Sequence, residues 1–422
     1  MKTLGYLLLV LGASWIGFVR TADAQSSPIS NVAVILNVDL DLLLNLSQLW
    51  TWTPETLESR YVGLKETGQT KVPEFQWLSS AKDRARFSRK AFGDVDTRLT
   101  MFGKSIKVEE VLLEFVKGRA ARVTISFYNR GDSGEVDAAE FDRTFKTVGR
   151  NLGQVLKVAP SNQSAVASSV VKTVSWQWKS PLGLALLEHN DFNSGGVQGR
   201  PEFLRLKLAA PDQADWSMGK LAVGVQRMAL SKNITKTNTG DVYIAGVPMV
   251  DQGAKGYCVA ASCQRLLEYM QIPCDQHQIA ELVSADAQSG ADIFVMQKSL
   301  GKIDGSFKVS FKPFINPEIY YMSNGKRRVS QRQFHLAVKE HVDKGVPLLW
   351  ALELGRFPEK PELPNEGQVS GGHMRLVIGY NERTNEVLFT DSWGAGHELK
   401  RMAEDGAYEV TLGLYSMSPR GL

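Results

Sequence analysis

Cysteine is scarce in this chain, which has only three among 422 residues, at positions 258, 263 and 274. So few cysteines exclude a small scaffold in which disulfides replace a hydrophobic core. The three also contain no C-x-x-C pair, so they lack the spacing of metal ligands. Cys263 and Cys274 can form a disulfide in an oxidising compartment or remain buried thiols, and the sequence favours neither.

The chain also lacks an excess of charge of one sign. Its 49 basic and 45 acidic residues give a net charge of +4, too small and too mixed to indicate a nucleic-acid partner. With 43% hydrophobic and 22% charged residues, the composition is that of a globular protein. The length allows two or three domains, each with its own core.

Long apolar runs are missing except at the start, in MKTLGYLLLVLGASWIGFVRTADAQ. Lys2, the apolar stretch from Leu4 to Val19 and the Ala22-Asp23-Ala24 site predict a signal peptide over residues 1–24, cleaved after Ala24. The alternative is an uncleaved membrane anchor, for which the stretch is short against ~30 Å of hydrocarbon. We therefore expect a secreted or periplasmic protein with no membrane segment in its mature form.

Residues 25–210 predict an α+β domain of unknown role, with strand-like runs and one long helix, AAEFDRTFKTVGRNLGQVL, capped by Asp137. This part has no cysteine and one histidine, His189, so it presents no catalytic constellation. The Arg-Gly-Asp at 130–132 is either an adhesion tripeptide or ordinary turn chemistry. Residues 211–244 predict a helix and a polar linker.

Residues 245–422 predict a second α+β domain, in which helices come first and an antiparallel sheet follows. The predicted elements are helices over 258–271, 276–285, 291–300 and 331–344, and strands over 346–354, 373–381 and 386–393. A hairpin with its turn near 382–385 pairs the last two strands. The start of one then lies opposite the end of the other, so His373 and Asp391 should be neighbours.

Cys258 is predicted at the first turn of its helix, behind a glycine-rich loop. There the amide dipoles and a nearby imidazolium favour a thiolate, while Asp391 fixes the tautomer of His373. Gln252, six residues earlier, can supply a side-chain donor that joins the Cys258 backbone N–H in an oxyanion hole. The predicted catalytic residues are Cys258, His373, Asp391 and Gln252.

This order of Gln, Cys, His and Asp resembles the papain-like cysteine peptidases over residues of about 245–420. The family's Asn-Ser-Trp-Gly is matched by Asp391-Ser392-Trp393-Gly394, with aspartate for asparagine, and Val259 replaces the tryptophan that follows the cysteine in papain. The aspartate and the phrase HMRLVIGYN make the domain most similar to the branch that cleaves double-glycine leader peptides. The resemblance implies a papain-like peptidase domain, hydrolysis of peptide bonds in a peptide or protein substrate, and no metal or organic cofactor.

Other interpretations remain open. Cys258 can be a structural thiol, Asp391 can cap a turn, and His397 can compete with His373 as the base. Trp393 either covers the His–Asp hydrogen bond or packs in the core. The whole domain can be a binding protein without activity, or an acyl transferase that uses the same triad as transglutaminases do.

Two further predictions concern the surroundings of the site. The remaining histidines of this domain, His277, His335 and His341, are predicted as surface or packing residues on helices. The Pro/Glu-rich segment 355–372 can act as a flap.

Overall fold

The fold is that of a computed structural model of the whole chain. It describes residues 35–420, apart from 64–72, 90–95, 164–171, 193–198, 218–226, 254, 316–328 and 364–367. Between 284 and 308 it describes only 285, 290, 298, 300, 301, 303 and 307. The predicted signal peptide and most of the predicted helix over 291–300 therefore lie outside the described residues, as does part of the 355–372 segment.

The N-terminal part is mainly sheet. Its strands are β1 (Ile35–Asp39), β2 (Gln76–Trp77), β3 (Arg84–Ser88), β4 (Asp96–Met101), β5 (Ile106–Val108), β6 (Glu110–Val116), β7 (Arg119–Asn129), β8 (Ser161–Gln163), β9 (Thr173–Ser180), β10 (Gly183–Asn190) and β11 (Phe203–Ala209). Within the described residues, β1, β4 and β5 form a small sheet, and the others form an antiparallel sheet in the order β2-β3-β6-β7-β11-β10-β9-β8.

Among the described residues of this part, the helices are short except for one. They are α1 (Leu46–Leu49), α2 (Pro54–Arg60), α3 (Arg130–Ser133), α4 (Ala138–Leu156) and α5 (Ala214–Ser217), with 3-10 turns at Asp41–Leu44 and Pro211–Gln213. The long helix α4 begins where the sequence predicts, because the Asp137 side chain accepts hydrogen bonds from the backbone N–H groups of Ala139 and Glu140. Apolar residues spaced three and four apart along α4 are buried against the sheet: Phe141, Phe145, Val148 and Leu152.

The C-terminal part places helices on a second antiparallel sheet. Its helices are α6 (Arg227–Leu230), α7 (Cys258–Tyr269), α8 (Gln276–Leu282), α9 (Gln331–Val342) and α10 (Glu404–Val410), with a 3-10 turn at Ser231–Asn233. Its strands are β12 (Ile234–Lys236), β13 (Asp241–Ile244), β14 (Val309–Ile315), β15 (Leu348–Leu354), β16 (Gly371–Asn381), β17 (Glu386–Thr390), β18 (Lys400–Ala403) and β19 (Thr411–Pro419). The order is β12-β13-β16-β15-β19-β14, with β17 joining β16 to β18, and α7 packs on β16.

The α+β class predicted for both parts is confirmed. Predicted helices at 258–271, 276–285 and 331–344 appear as α7, α8 and α9, and the predicted strands appear as β15, β16 and β17. The segment expected as helix and linker, 211–244, contains β12 and β13, and β13 pairs with β16. A polar composition hid these strands, and the pairing of β13 with the distant β16 is not visible in the local sequence. No helix among the described residues is both long and apolar enough to cross a membrane.

Candidate active site

The site begins at the first residue of α7. Cys258 follows Tyr257, which occupies the N-cap position without a side-chain cap. The backbone N–H groups of the first helical turn therefore have no partner within the helix, and they point toward the end of α7 that carries Cys258. Almost all the rest of α7 is buried, yet Cys258 is partly exposed. The helix is thus fixed in the core while its tip reaches solvent.

The second component comes from the hairpin of β16 and β17. These strands are antiparallel, with Asn381 opposite Glu386, so the predicted turn is confirmed. His373, near the start of β16, places its Nε2 2.7 Å from Oδ1 of Asp391, just after β17. The same carboxylate oxygen accepts the backbone N–H of Ser392 at 2.9 Å. Both His373 and Asp391 side chains are fully buried, so this hydrogen bond is screened from water.

The charge state of His373 is controlled by its neighbours. Burial opposes its protonation, but the Asp391 carboxylate and the Cys258 thiol outweigh burial and raise the pKa of His373 to about 9. Its other ring nitrogen, Nδ1, is buried and has no geometrically sound hydrogen-bond partner among the described residues. The raised pKa makes His373 a strong proton acceptor, with one ring nitrogen held by Asp391 and the other available to Cys258.

Trp393 forms a lid over this imidazole. Its ring stacks on His373 with centroids 4.3 Å apart and planes inclined by 7°. The contact fits the interpretation that Trp393 covers the His–Asp hydrogen bond. The rival base, His397, packs edge-on against Trp393 at 5.8 Å. The backbone carbonyl of His397 accepts the backbone N–H of Asp391 at 3.0 Å, and burial lowers the pKa of the His397 imidazole. The Asp391 carboxylate therefore pairs with His373 and not with His397.

Gln252 lies in the loop before α7 and is almost completely buried. Its Oε1 accepts a hydrogen bond from the Ser392 hydroxyl at 2.7 Å. This contact identifies Oε1 as the acceptor and Nε2 as the donor of the amide. Its Nε2 donates to the carbonyl of Lys255 at 3.2 Å. Within the described part of the chain that is the amide nitrogen's one hydrogen bond, so its second N–H remains available as a donor.

Sequence reasoning missed Arg375, two residues beyond His373 on the same face of β16. Its Nε lies 2.5 Å from Asp391 Oδ2, and its Nη1 and Nη2 bind the two oxygens of Glu359 at 2.6 and 3.2 Å. Lys400 joins Glu359 at 2.8 Å. Although burial opposes ionisation of Asp391, Arg375 and His373 hold its pKa well below the ordinary range. The sequence signal for this role was the charge of Arg375 inside the apolar run HMRLVIGYN, because a buried arginine requires a buried counter-charge.

A second buried arginine, Arg265, ties α7 to the end of the hairpin. It donates to the carbonyls of Pro248 at 2.8 Å and Asp391 at 2.6 Å, and to the Thr390 hydroxyl at 2.5 Å. The Arg265 side chain therefore connects α7, the segment before Gln252 and the end of β17.

Of the remaining cysteines and histidines, His277 lies beside the loop before α7, with its Nε2 3.4 Å from Nζ of Lys255. Cys263 and Cys274 are free thiols, so the disulfide alternative is wrong for this structure, and burial raises the pKa of both. His277 and His341 are buried, and His335 binds Glu404 at 2.7 Å. No three His, Cys, Asp or Glu side chains among the described residues group as metal ligands.

Comparison with known proteins points to the class of cysteine peptidases. Residues 244–413 match the model of the Peptidase_C39 like family. This match confirms the predicted resemblance to a papain-like cysteine peptidase for that part, which is less than half of the chain. No curated protein sequence matches. Among solved structures, the chain is similar to xylellain, a cysteine protease from Xylella fastidiosa, at 15% identity and a TM-score of 0.29, covering 46% of this chain and 89% of that one.

Proposed function

We propose that this protein is an exported cysteine peptidase that hydrolyses peptide bonds in a peptide or protein substrate. Cys258 is the nucleophile, His373 the proton carrier, Asp391 the orienting carboxylate and Gln252 the oxyanion donor. The observation that carries the proposal is the buried His373–Asp391 hydrogen bond of 2.7 Å at one ring nitrogen, with the other nitrogen left for a thiol at a helix tip. A structural cysteine needs none of these groups.

The nucleophile is formed by proton transfer within the site. The Cys258 thiol gives its proton to His373 Nδ1, and the resulting imidazolium is stabilised by Asp391. The raised pKa of His373 favours this ion pair at neutral pH. The thiolate then attacks the carbonyl carbon of the substrate, forming a carbon–sulfur bond while the carbonyl electrons move to oxygen.

The negative oxygen is met by the Gln252 amide N–H and the backbone N–H of Cys258. Collapse of this intermediate breaks the carbon–nitrogen bond as His373 gives its proton to the leaving amine. Water then attacks the thioester and loses a proton to His373. The second collapse releases the carboxylic acid product and restores the Cys258 thiolate.

A test of the chemistry compares purified wild type with Cys258→Ala on a peptide library. The wild type should produce new amino termini, and Cys258→Ala should lose at least about 10³-fold in rate. Cys274→Ala is the matched control and should keep the wild-type rate. An inactive wild type, or a Cys258→Ala variant as fast as the wild type, would exclude the peptidase. Adducts with an added primary amine in place of hydrolysis products would indicate acyl transfer.

Export is a separate part of the proposal and rests on the first 24 residues. Ala24 is expected as the last residue removed, so the mature protein should begin at Gln25. Amino-terminal sequencing of protein recovered from the periplasm or medium checks this. A protein that starts at Met1 and stays with the membrane fraction would support the anchor instead.

A further inference from the structure

The loop that carries Gln252 is held on one side by the N-terminal part of the chain. Arg86 of β3 places its Nη1 2.6 Å from Oδ2 of Asp251, the residue directly before Gln252. Gln76 donates to the same oxygen at 3.1 Å. The side chains of Arg86 and Asp251 are 9% and 1% exposed, so this ion pair is screened from solvent and salt.

A second contact grips the loop on the other side of Gln252. Lys255 places its Nζ 2.6 Å from Oδ2 of Asp132 in α3. Burial opposes ionisation of Asp132, but Lys255 outweighs it and lowers the pKa of Asp132 to about 2. Gly131 beside it lies so close to Tyr257 that a Cβ there would stand 2.6 Å from the tyrosine hydroxyl. The Arg-Gly-Asp tripeptide therefore lies against the residues that lead into Cys258.

These contacts are part of a longer interface with α7 and α8. Arg84 binds the Met249 carbonyl at 2.9 Å and Glu268 of α7 at 2.5 Å. Arg205 of β11 binds Asp275, at the start of α8, at 2.7 Å. The N-terminal sheet thus holds the loop and also the helix that follows it.

The backbone of this loop decides where the Gln252 amide points. Lys255 supplies the carbonyl that accepts the amide N–H, and the Gln252 backbone N–H donates to the Ser392 carbonyl at 2.9 Å. A shift at position 251 or 255 would therefore move the amide. The loop is buried at Asp251, Gln252 and Lys255, whereas Cys258 stays partly exposed. The N-terminal part supports the loop without covering the thiol.

We propose that Asp132 and Arg86 are positioning residues of the active-site loop. They act through Lys255 and Asp251 to aim the Gln252 amide, so the N-terminal part is a standing component of the peptidase and not a segment removed to activate it. This inference rests on the proposed peptidase function.

The test compares Asp132→Asn, Arg86→Gln and Gly131→Ala in the full chain. Asp142→Asn removes an exposed ion pair with Lys146, and Gly153→Ala places a Cβ no nearer than 3.9 Å to its neighbours. Those two are the matched controls. The three interface variants should lower kcat by about 10- to 100-fold with little change in KM, since a small misplacement of a catalytic donor has an effect of that size. The controls should keep the wild-type kcat.

The rate of Cys258 alkylation by iodoacetamide separates positioning from unfolding. That rate depends on the thiolate and on His373 but not on an oxyanion donor, so it should stay within about 2-fold of wild type in each folded variant. Asp132→Asn alone leaves Lys255 buried without its carboxylate, and the double variant Asp132→Asn with Lys255→Met removes that buried charge. Its melting temperature should recover toward the wild-type value while kcat stays low.

Other results would overturn the inference. An unchanged kcat in folded interface variants, or a kcat that recovers together with the melting temperature, would reduce these contacts to structural support. A raised kcat would identify the N-terminal part as an inhibitor. A wild type without turnover would remove the peptidase proposal and this inference together, and that outcome is distinct from an active wild type that is indifferent to Asp132→Asn.

Discussion

At the scale of single residues, the aspartate at position 391 distinguishes this site from the asparagine of papain. Its carboxylate lies between two buried cations, His373 and Arg375, at 2.7 and 2.5 Å. The His–Asp pair was predictable from the sequence because hairpin geometry forces it. The arginine was not, because a strand pattern does not reveal which buried charge a side chain will meet.

Asp391→Asn should move the alkaline limit of activity to lower pH. The carboxylate raises the pKa of His373 to about 9, and removal of that charge lowers the pKa again. Since the leaving amine needs a proton from His373, kcat/KM of the wild type should fall as pH rises through about 9. The variant should lose activity at a lower pH. Measurement of kcat/KM from pH 6 to 10 checks this, with Asp142→Asn as a control that keeps the wild-type profile.

Arg375→Met should destabilise the protein strongly. The substitution leaves Asp391 without its arginine and Glu359 with Lys400 alone, all in the interior. Breaking a buried ion pair in this way costs about 3–5 kcal/mol. Urea denaturation should show this loss as a lower midpoint. Arg356→Met is the matched control, because its ion pair with Glu353 is about half exposed and should contribute under about 1 kcal/mol. Equal midpoints for the two variants would contradict the role given to Arg375.

At the scale of elements, the sequence predicted those helices and strands whose ends are set by nearby residues. Asp137 and the apolar spacing fixed α4, and the turn chemistry near 382–385 fixed the hairpin that brings His373 to Asp391. The strands β12, β13 and β18 escaped prediction because each is short, and β13 also pairs with β16, far along the chain. The position of α7 over β16 was likewise beyond sequence reasoning, since it depends on packing and on long-range contacts such as the hydrogen bond from Ser262 to the Met374 carbonyl.

Arg265→Met should separate the helix tip from the hairpin. It removes three donors from buried oxygens, each of which costs about 1–3 kcal/mol when left unpaired. We expect a lower melting temperature and a fall in kcat/KM, as Cys258 loses its alignment with His373. Arg332→Met, on the exposed face of α9, should change neither. Thermal melts and peptide assays of the two variants decide the matter, and an Arg265→Met protein with wild-type kcat/KM would show that the tie is dispensable.

At the scale of the molecule, two hydrophobic cores are joined by buried charges. One core is built from residues 36–208, and the other from residues 230–417 with Phe203 of β11 inserted. Between them lies Arg84, whose Nη2 is 2.5 Å from both Glu114 and Glu268.

The two cores should unfold together. Separation would take Glu268 from Arg84 and Asp251 from Arg86 and leave both carboxylates unpaired in a surface shaped to bury them. Calorimetry should therefore show one transition for the wild type. Arg84→Met leaves Glu268 without its arginine and Glu114 with Arg122, and should lower the melting temperature by roughly 3–6 °C. Arg356→Met serves as the control here too. Two well-separated transitions in the wild type would mean that the interface contributes little to stability.

The strand pair β12 and β13 has a practical consequence for any shortened protein. β13 covers the last three residues of β16, and Asp241 holds both Asn381 and Arg401. A truncation at residue 244, where the family match begins, would strip that edge and leave its backbone groups open to pairing with another molecule. Such a fragment should self-associate, and fragments intended for study in isolation are better started ahead of Ser231.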